Sequence, residues 1–355
     1  MRARLLPPWL AGGQVASGSA PAWHRLAALA LALLPLLLVL GCSTQQFPQS
    51  ALDPHSDAAA LQQSLLMKLV FWVVVIFVVV ETALIVTVIR FRARPGAPDP
   101  KPVHGHTGLE IAWTIAPALI LAAVAIPTVA TIFKTQAPAS PRALQVRVIG
   151  HQWWWEFQYP HEGFVTANEL HVPLRRMVSL TLESADVIHS FWVPAIGGKR
   201  DVVPSRINHL WFTPDSAGVF SGECAEFCGV SHANMRLRLV VESPADYARW
   251  VRGQSAAPFE PDSASQAGRG KQVFLTAGCA GCHTVRGVSP GQIGPDLTHL
   301  ASRGTIASAL YDNTPENLSR WIENPPARKP GALMPVLGLP PAQIADVVAY
   351  LRTLR

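Results

Sequence analysis

The hydropathy of the chain changes character four times. Residues 26–42, "LAALALALLPLLLVLGC", are an apolar run closed by Cys42. Two longer runs follow, 69–89 "LVFWVVVIFVVVETALIVTVI" and 109–133 "LEIAWTIAPALILAAVAIPTVATIF". Each is long enough to cross a bilayer core as a helix rising about 1.5 Å per residue. From about 140 to 250 the pattern turns to period two in short runs, "LQVRVIG", "WWWEFQY", "MVSLTLES", "HLWFT" and "MRLRLVVE". Short alternating runs separated by Pro and Gly predict an antiparallel β-sandwich or barrel. The stretch "GQSAAPFEPDSASQAG" (253–268) has the small, polar composition of a linker. Beyond it, short helices surround a long loop and end in the amphipathic "PAQIADVVAYLRTL". No internal repeat is present. The expected order is a signal peptide at 1–41, an exported segment at 42–64, a transmembrane hairpin at 65–134, a β domain at 140–250, a linker at 251–268 and an all-α domain at 269–355.

Charge sets the topology. Arg90, Arg92, Arg94 and Lys101 lie between the two spans and mark that loop as cytoplasmic, so the chain after about 135 is expected outside the cytoplasm. "VLGC", preceded by the apolar run and by His24 and Arg25, approximates a lipoprotein signal cleavage site. The mature chain would then begin at a lipidated Cys42; ordinary cleavage nearby or an uncleaved anchor are the alternatives. A content of 49% hydrophobic and 15% charged residues suits a membrane component. The net charge of +6 does not point to nucleic acid, because no Lys/Arg cluster is interleaved with aromatics.

The five cysteines fall at 42, 224, 228, 279 and 282, one singleton and two close pairs. Such spacing favours metal or haem chemistry over a disulfide framework. "GECAEFCGVSHANM" (222–235) gathers Cys224, Cys228, His232 and Met235. Thiolate, thioether and imidazole are ligands that select copper over calcium or magnesium. Two thiolates four residues apart can bridge two copper ions and let one electron be shared, which suits electron transfer. A second imidazole would come from His151, His161, His171, His189 or His209, with His189 favoured by its turn, "ADVIHSFWVP", feeding an apolar strand. A structural zinc site would leave Met235 unused, and a Cys224–Cys228 disulfide is the other alternative.

"CAGCH" (279–283) is an attachment signature for a c-type haem, with thioethers from Cys279 and Cys282 and His283 as axial ligand. Elimination among the five methionines leaves Met334, in "KPGALMP", as sixth ligand, with His299 as rival. A Met/His pair favours a high potential. Glu81 lies inside the first span, where an ionisable side chain is costly and faces protein, water or a partner.

Taken together, the second span, "GHQWWWEF", "ADVIHSFWVP" and "GECAEFCGVSHANM" resemble subunit II of cytochrome c oxidase with its binuclear copper A centre, over about residues 65–245. Residues 269–355, with "GKQVFLTAGCAGCHTV", "IGPDL" and "ADVVAYLRTL", resemble class I cytochrome c. A subunit II with a fused C-terminal cytochrome is similar to those of bacterial caa-type haem–copper oxidases. The resemblance implies a cupredoxin-like sandwich holding two copper ions by His189, Cys224, Cys228, His232 and Met235, with the Glu226 backbone carbonyl as a further ligand. It also implies that the Glu226 carboxylate reaches a magnesium ion shared with subunit I. Trp153 would take up electrons from cytochrome c, and Glu81 would stand at the mouth of a proton pathway. In the cytochrome domain, the Pro295 carbonyl would accept a hydrogen bond from His283, and Trp321 would pack near a haem propionate.

By the same resemblance the chain would be an electron-input subunit in the bacterial cell membrane, its C-terminal domains periplasmic, passing electrons from haem c and copper A to a dioxygen-reducing, proton-pumping subunit I. Subunit III would be a further partner, and cytochrome c or a quinol–cytochrome c reductase the donor. A quinol oxidase subunit II lacks the copper ligands and the cytochrome, and nitrous oxide reductase needs a large catalytic domain. The remaining alternative is a membrane-anchored copper-binding or chaperone protein with an electron-transfer cytochrome domain, which would have no use for Glu81.

Overall fold

The computed structural model describes residues 49–96, 98, 102 and 104–355. The signal segment, Cys42 and Lys101 lie outside the described residues.

Helix α1 runs Asp57–Arg90 and helix α2 runs Thr107–Gln136. Both contain the apolar runs, and the most apolar window of each has none of its residues buried by the rest of the chain. Side chains such as Phe71 (60% exposed) and Phe133 (74%) therefore need lipid or a partner around them. Helix α1 starts well before the apolar run because its first turn belongs to the β domain. Ser56 caps it, accepting from Ala59 N at 3.1 Å while donating to the Ile196 carbonyl at 2.6 Å. Asp57, favoured at a helix N-terminus, accepts from Thr213 N at 2.7 Å. The membrane helix is thus welded to the domain it carries.

Strands β1 (Leu144–His151), β2 (Trp154–Tyr159), β3 (Phe164–Ala167), β5 (Val178–Ser184) and β8 (Asn208–Phe212) form one sheet in the order β3-β2-β1-β5-β8. The second sheet is β4-β10-β9-β6-β7, from β4 (Glu169–Pro173), β6 (His189–Trp192), β7 (Arg200–Val202), β9 (Gly218–Cys224) and β10 (Arg236–Glu242). The sandwich is mixed rather than purely antiparallel: β1 pairs with β5, and β4 with β10, in parallel. Those pairings join strands far apart in sequence, so no local turn signal announces them. Alternation along β1 and β2 buries one face, and Trp155, Phe157 and Phe191 fill the core, with Trp155 edge-on to Phe191 at 5.4 Å.

Helix α3 (Pro244–Ser255) leaves the sandwich and α4 (Gln266–Thr276) opens the last domain, so the ends of the stretch read as linker are helical. Helices α5 (Cys279–Cys282), α6 (Pro315–Glu323), α7 (Pro325–Arg328) and α8 (Pro341–Leu351) follow. Helices α4 and α8 cross at Gly270, where a Cβ would stand 1.8 Å from the Asp346 carbonyl oxygen, so only glycine permits this approach. Phe274, Val347, Tyr350 and Leu354 pack beside the crossing as a second core.

The two domains touch through buried polar groups. Glu169, on edge strand β4, accepts from Gly304 N at 3.0 Å and from Thr305 Oγ1 at 2.6 Å. Burial alone would raise its pKa, but these bonds and the neighbouring His171 hold the carboxyl below its ordinary value. His171 in turn meets Glu242 at 3.1 Å and stacks on Trp250, ring centroids 4.3 Å apart. The edge of the second sheet is covered in this way.

Candidate functional site

Pairing of β6 with β9 sets Phe191 opposite Cys224 and brings His189 beside the thiols from 35 residues away. The loop after β9 carries the other donors and is closed by Cys224 N donating to the Met235 carbonyl at 2.9 Å. His189 Nδ1 lies 3.9 Å from Cys224 Sγ, the two sulfurs are 3.7 Å apart, and Cys228 Sγ is 3.6 Å from His232 Nδ1 and 3.9 Å from Met235 Sδ. The Glu226 carbonyl is 3.2 Å from Cys224 Sγ. Metal–ligand bonds of about 2.0–2.3 Å give roughly 3.3–3.8 Å between donors of a tetrahedral site, close to these separations. Both thiols are free rather than joined as a disulfide.

The electrostatics suit thiolate ligands. The hydrogen bond with Cys228, reinforced by His189, pulls Cys224 well below the ordinary thiol range, and the same contact holds Cys228 above it. Asp186 Oδ1 accepts from His189 Nε2 at 2.7 Å, which leaves Nδ1 as the unprotonated nitrogen, facing Cys224 Sγ. Asp186 is missed by a reading of ligands alone; its position three residues before His189 is the signal that could have found it. Of the other candidate histidines, His161 and His209 are exposed, His151 stacks on Trp154 at 4.1 Å, and His171 is held by carboxylates.

A second site lies in the helical domain. Cys279, Cys282, His283 and Met334 line one cleft with Leu297 and Trp321. His283 Nδ1 donates to the Pro295 carbonyl at 2.8 Å, which turns Nε2 free. Burial lowers the His283 pKa, favouring the neutral, ligating imidazole. Two observations fit this cleft to a haem. A Cβ on Gly294 would stand 2.5 Å from the His283 ring, so the ring is cradled by backbone. Arg303, 8% exposed and lining the cleft, has a buried Nε without a partner, as a group awaiting a porphyrin carboxylate would. His299 lines a different cavity, its ring nitrogens engaged by the Arg355 carbonyl at 2.6 Å and by Arg286 at 3.0 Å.

Trp153 joins the two sites. It forms part of the cleft wall, and its Nε1 donates to the Cys228 carbonyl at 2.9 Å. Only 8% of it is exposed, because the helical domain of the same chain covers it. Glu226 turns its carboxylate outward, 3.9 Å from Lys199, and its neighbours Phe227 and Val230 are each 77% exposed. Glu81 is half-buried on α1.

A two-thiol metal site on a β-sandwich, beside a haem cleft and above two membrane helices, defines a membrane-anchored electron-transfer protein. Residues 43–131 match the transmembrane domain of cytochrome c oxidase subunit II, residues 163–243 its periplasmic domain, and residues 267–355 cytochrome c. Cytochrome c oxidase subunit 2 of Alkalihalophilus pseudofirmus is 37% identical over 92% of this chain and 96% of its own length. That of Bacillus sp. (strain PS3) is 35% identical over 84% and 88%. The solved periplasmic domain of subunit II of cytochrome oxidase from Bradyrhizobium japonicum is 32% identical, covering 33% of this chain and 95% of that one, with a TM-score of 0.32. The chain belongs to the cytochrome c oxidase subunit 2 family. It is an electron-transfer subunit of a multi-subunit, membrane-bound haem–copper oxidase, and its domains imply copper A and haem c as cofactors.

Proposed function

We infer that two copper ions are held by His189, Cys224, Cys228, His232, Met235 and the Glu226 carbonyl, and one haem c by Cys279, Cys282, His283 and Met334. When bound, these groups supply one-electron redox chemistry; the protein supplies placement and potential. Asp186 fixes the tautomer of His189, and Pro295 that of His283. Trp321 and Arg303 are the cleft residues for the haem carboxylates. The observation that carries this reading is Trp153, whose indole donates to the Cys228 carbonyl while the same residue walls the haem cleft. Trp153 is the link from cytochrome to copper domain, and a diffusing cytochrome c or a quinol–cytochrome c reductase delivers its electrons to the haem c domain.

The exposed Phe227 and Val230, on the ligand loop itself, suit a contact with subunit I, and the outward Glu226 carboxylate is a hard oxygen ligand for a magnesium ion shared across it. Subunit III joins the same membrane assembly. The arginines after α1 orient the hairpin so that the copper and haem domains are periplasmic, with a lipid anchor at Cys42. The proposed domain limits are those of the hairpin at 65–134, the copper domain at 140–250 and the cytochrome at 269–355.

Low-temperature electron paramagnetic resonance of the purified oxidase tests the centre. A multi-line copper signal from one electron spread over two nuclei is expected, beside a c-type optical band; a four-line signal alone overturns the two-copper assignment. Glu81 holds and passes a proton at its carboxylate on the cytoplasmic side of the span. Glu81→Gln is expected to slow turnover of the whole oxidase while leaving both spectra intact, and unimpaired turnover returns Glu81 to a structural role.

A further inference from the structure

Three consecutive non-glycine residues, Ala307, Ser308 and Ala309, adopt left-handed backbone, with φ of 53°, 64° and 57°. L-residues with a Cβ disfavour this conformation, and a run of three persists only where the surroundings impose it. The surroundings here are the other domain. Ser308 Oγ donates to the Trp153 carbonyl at 2.7 Å. Lys329 Nζ donates to that same carbonyl and, at 2.8 Å, to Ser308 Oγ. Lys329 is 4% exposed, a rare placement for a lysine, and burial lowers its pKa to about 7. Two residues on, Gly331 at φ 82° lies against the indole, where a Cβ would stand 3.0 Å from the Trp153 ring. The segment that grips Trp153 therefore leads directly into Met334. On the far side of the interface, Glu169 accepts from Gly304 and Thr305, at the start of the same strained turn.

We propose that Ser308, Lys329 and Glu169 form a clasp that docks the cytochrome domain on the copper domain and holds the haem cleft against Trp153. These are positioning residues: none of them is a ligand in the assignment above, on which the inference rests. Trp153 is gripped at both ends, its carbonyl by the cytochrome domain and its indole N–H by the carbonyl of Cys228. A contact of this kind fixes the distance and orientation between two redox sites, and small displacements of such a geometry carry large rate penalties. A merely adhesive interface has no need of a strained turn or of a buried amine aimed at one carbonyl.

The test uses the whole oxidase. After laser photoreduction of haem c, the rate of copper A reduction is compared between the unmodified protein and the S308A/K329M double variant. The rate is expected to fall by at least about tenfold, more than any accompanying shift of the two midpoint potentials accounts for, with both spectra unchanged. Hydrogen exchange at 304–309 is expected to rise. Should the double variant fail to assemble, Glu169→Gln provides the second measurement, with faster exchange at 304–306 and a slowed transfer at unchanged potentials. Unchanged transfer and unchanged exchange in an assembled variant overturn the clasp. Absence of either spectrum from the unmodified protein overturns the site assignment instead.

Discussion

Cys224→Ser is expected to abolish the shared-electron copper signal, leaving a single-copper spectrum or none, and to reduce oxidase turnover by more than about 100-fold. The size follows from the position. Partners outside the ligand sphere already cost 10- to roughly 100-fold in affinity or activity when removed, and the proposed assignment puts Cys224 inside it. Its sulfur stands between His189 Nδ1 at 3.9 Å and Cys228 Sγ at 3.7 Å, so it links the β6 histidine to the second thiol. A serine hydroxyl is a harder, weaker ligand for copper and stays protonated where the thiol ionises readily. The haem c band is expected to be unaffected, because the proposed attachment residues, Cys279 and Cys282, lie in the other domain. Copper analysis of the purified complex, read with the resonance spectrum, checks the outcome. An unchanged multi-line signal would remove Cys224 from the bridge.

What the sequence makes legible here is what lies close together in it. Four side chains proposed as copper donors, and the proposed Glu226 carbonyl, fall within residues 224–235, and the proposed haem attachment motif within 279–283, so ligand chemistry and spacing suffice to single them out. His189 is harder, because only the β6–β9 pairing brings it to the thiols; a sequence reading can rank five histidines but cannot close that distance. The membrane runs are equally plain, yet their hydropathy says nothing of the first turn of α1, which buries Ala58 and Ala59 and is held by Ser56 and Asp57 to residues of the β domain. The clasp is silent altogether. Ser308, Lys329 and Glu169 read as ordinary polar surface residues, and it is the docking of two domains, separated along the chain, that buries them. The left-handed turn at 307–309 leaves no mark either, since Ala-Ser-Ala carries none of the glycine that usually announces such backbone.

Met334→Ala separates the electronic role of the cytochrome loop from its mechanical one. Haem is expected to remain attached, because the thioether bonds are assigned to Cys279 and Cys282 and the His283 ring keeps its hydrogen bond to Pro295. The haem potential is expected to fall by on the order of 0.1–0.2 V, a fraction of the roughly 0.8 V range that axial ligands command. A thioether favours the reduced iron, so its loss makes the haem harder to reduce by its donor. Turnover should then be limited at electron uptake, and an added small ligand should bind the vacated position. His299 is not free to substitute, because its ring is held by Arg355 and Arg286 in a separate cavity. Retention of the original potential would point back to that histidine. Lys329 and Gly331 keep their contacts with Trp153 in this variant, so hydrogen exchange at the interface should stay as in the unmodified chain. The two lesions are therefore distinguishable: loss of Met334 lowers the haem potential and leaves the docking, whereas loss of Ser308 and Lys329 loosens the docking and leaves the haem's axial thioether in place.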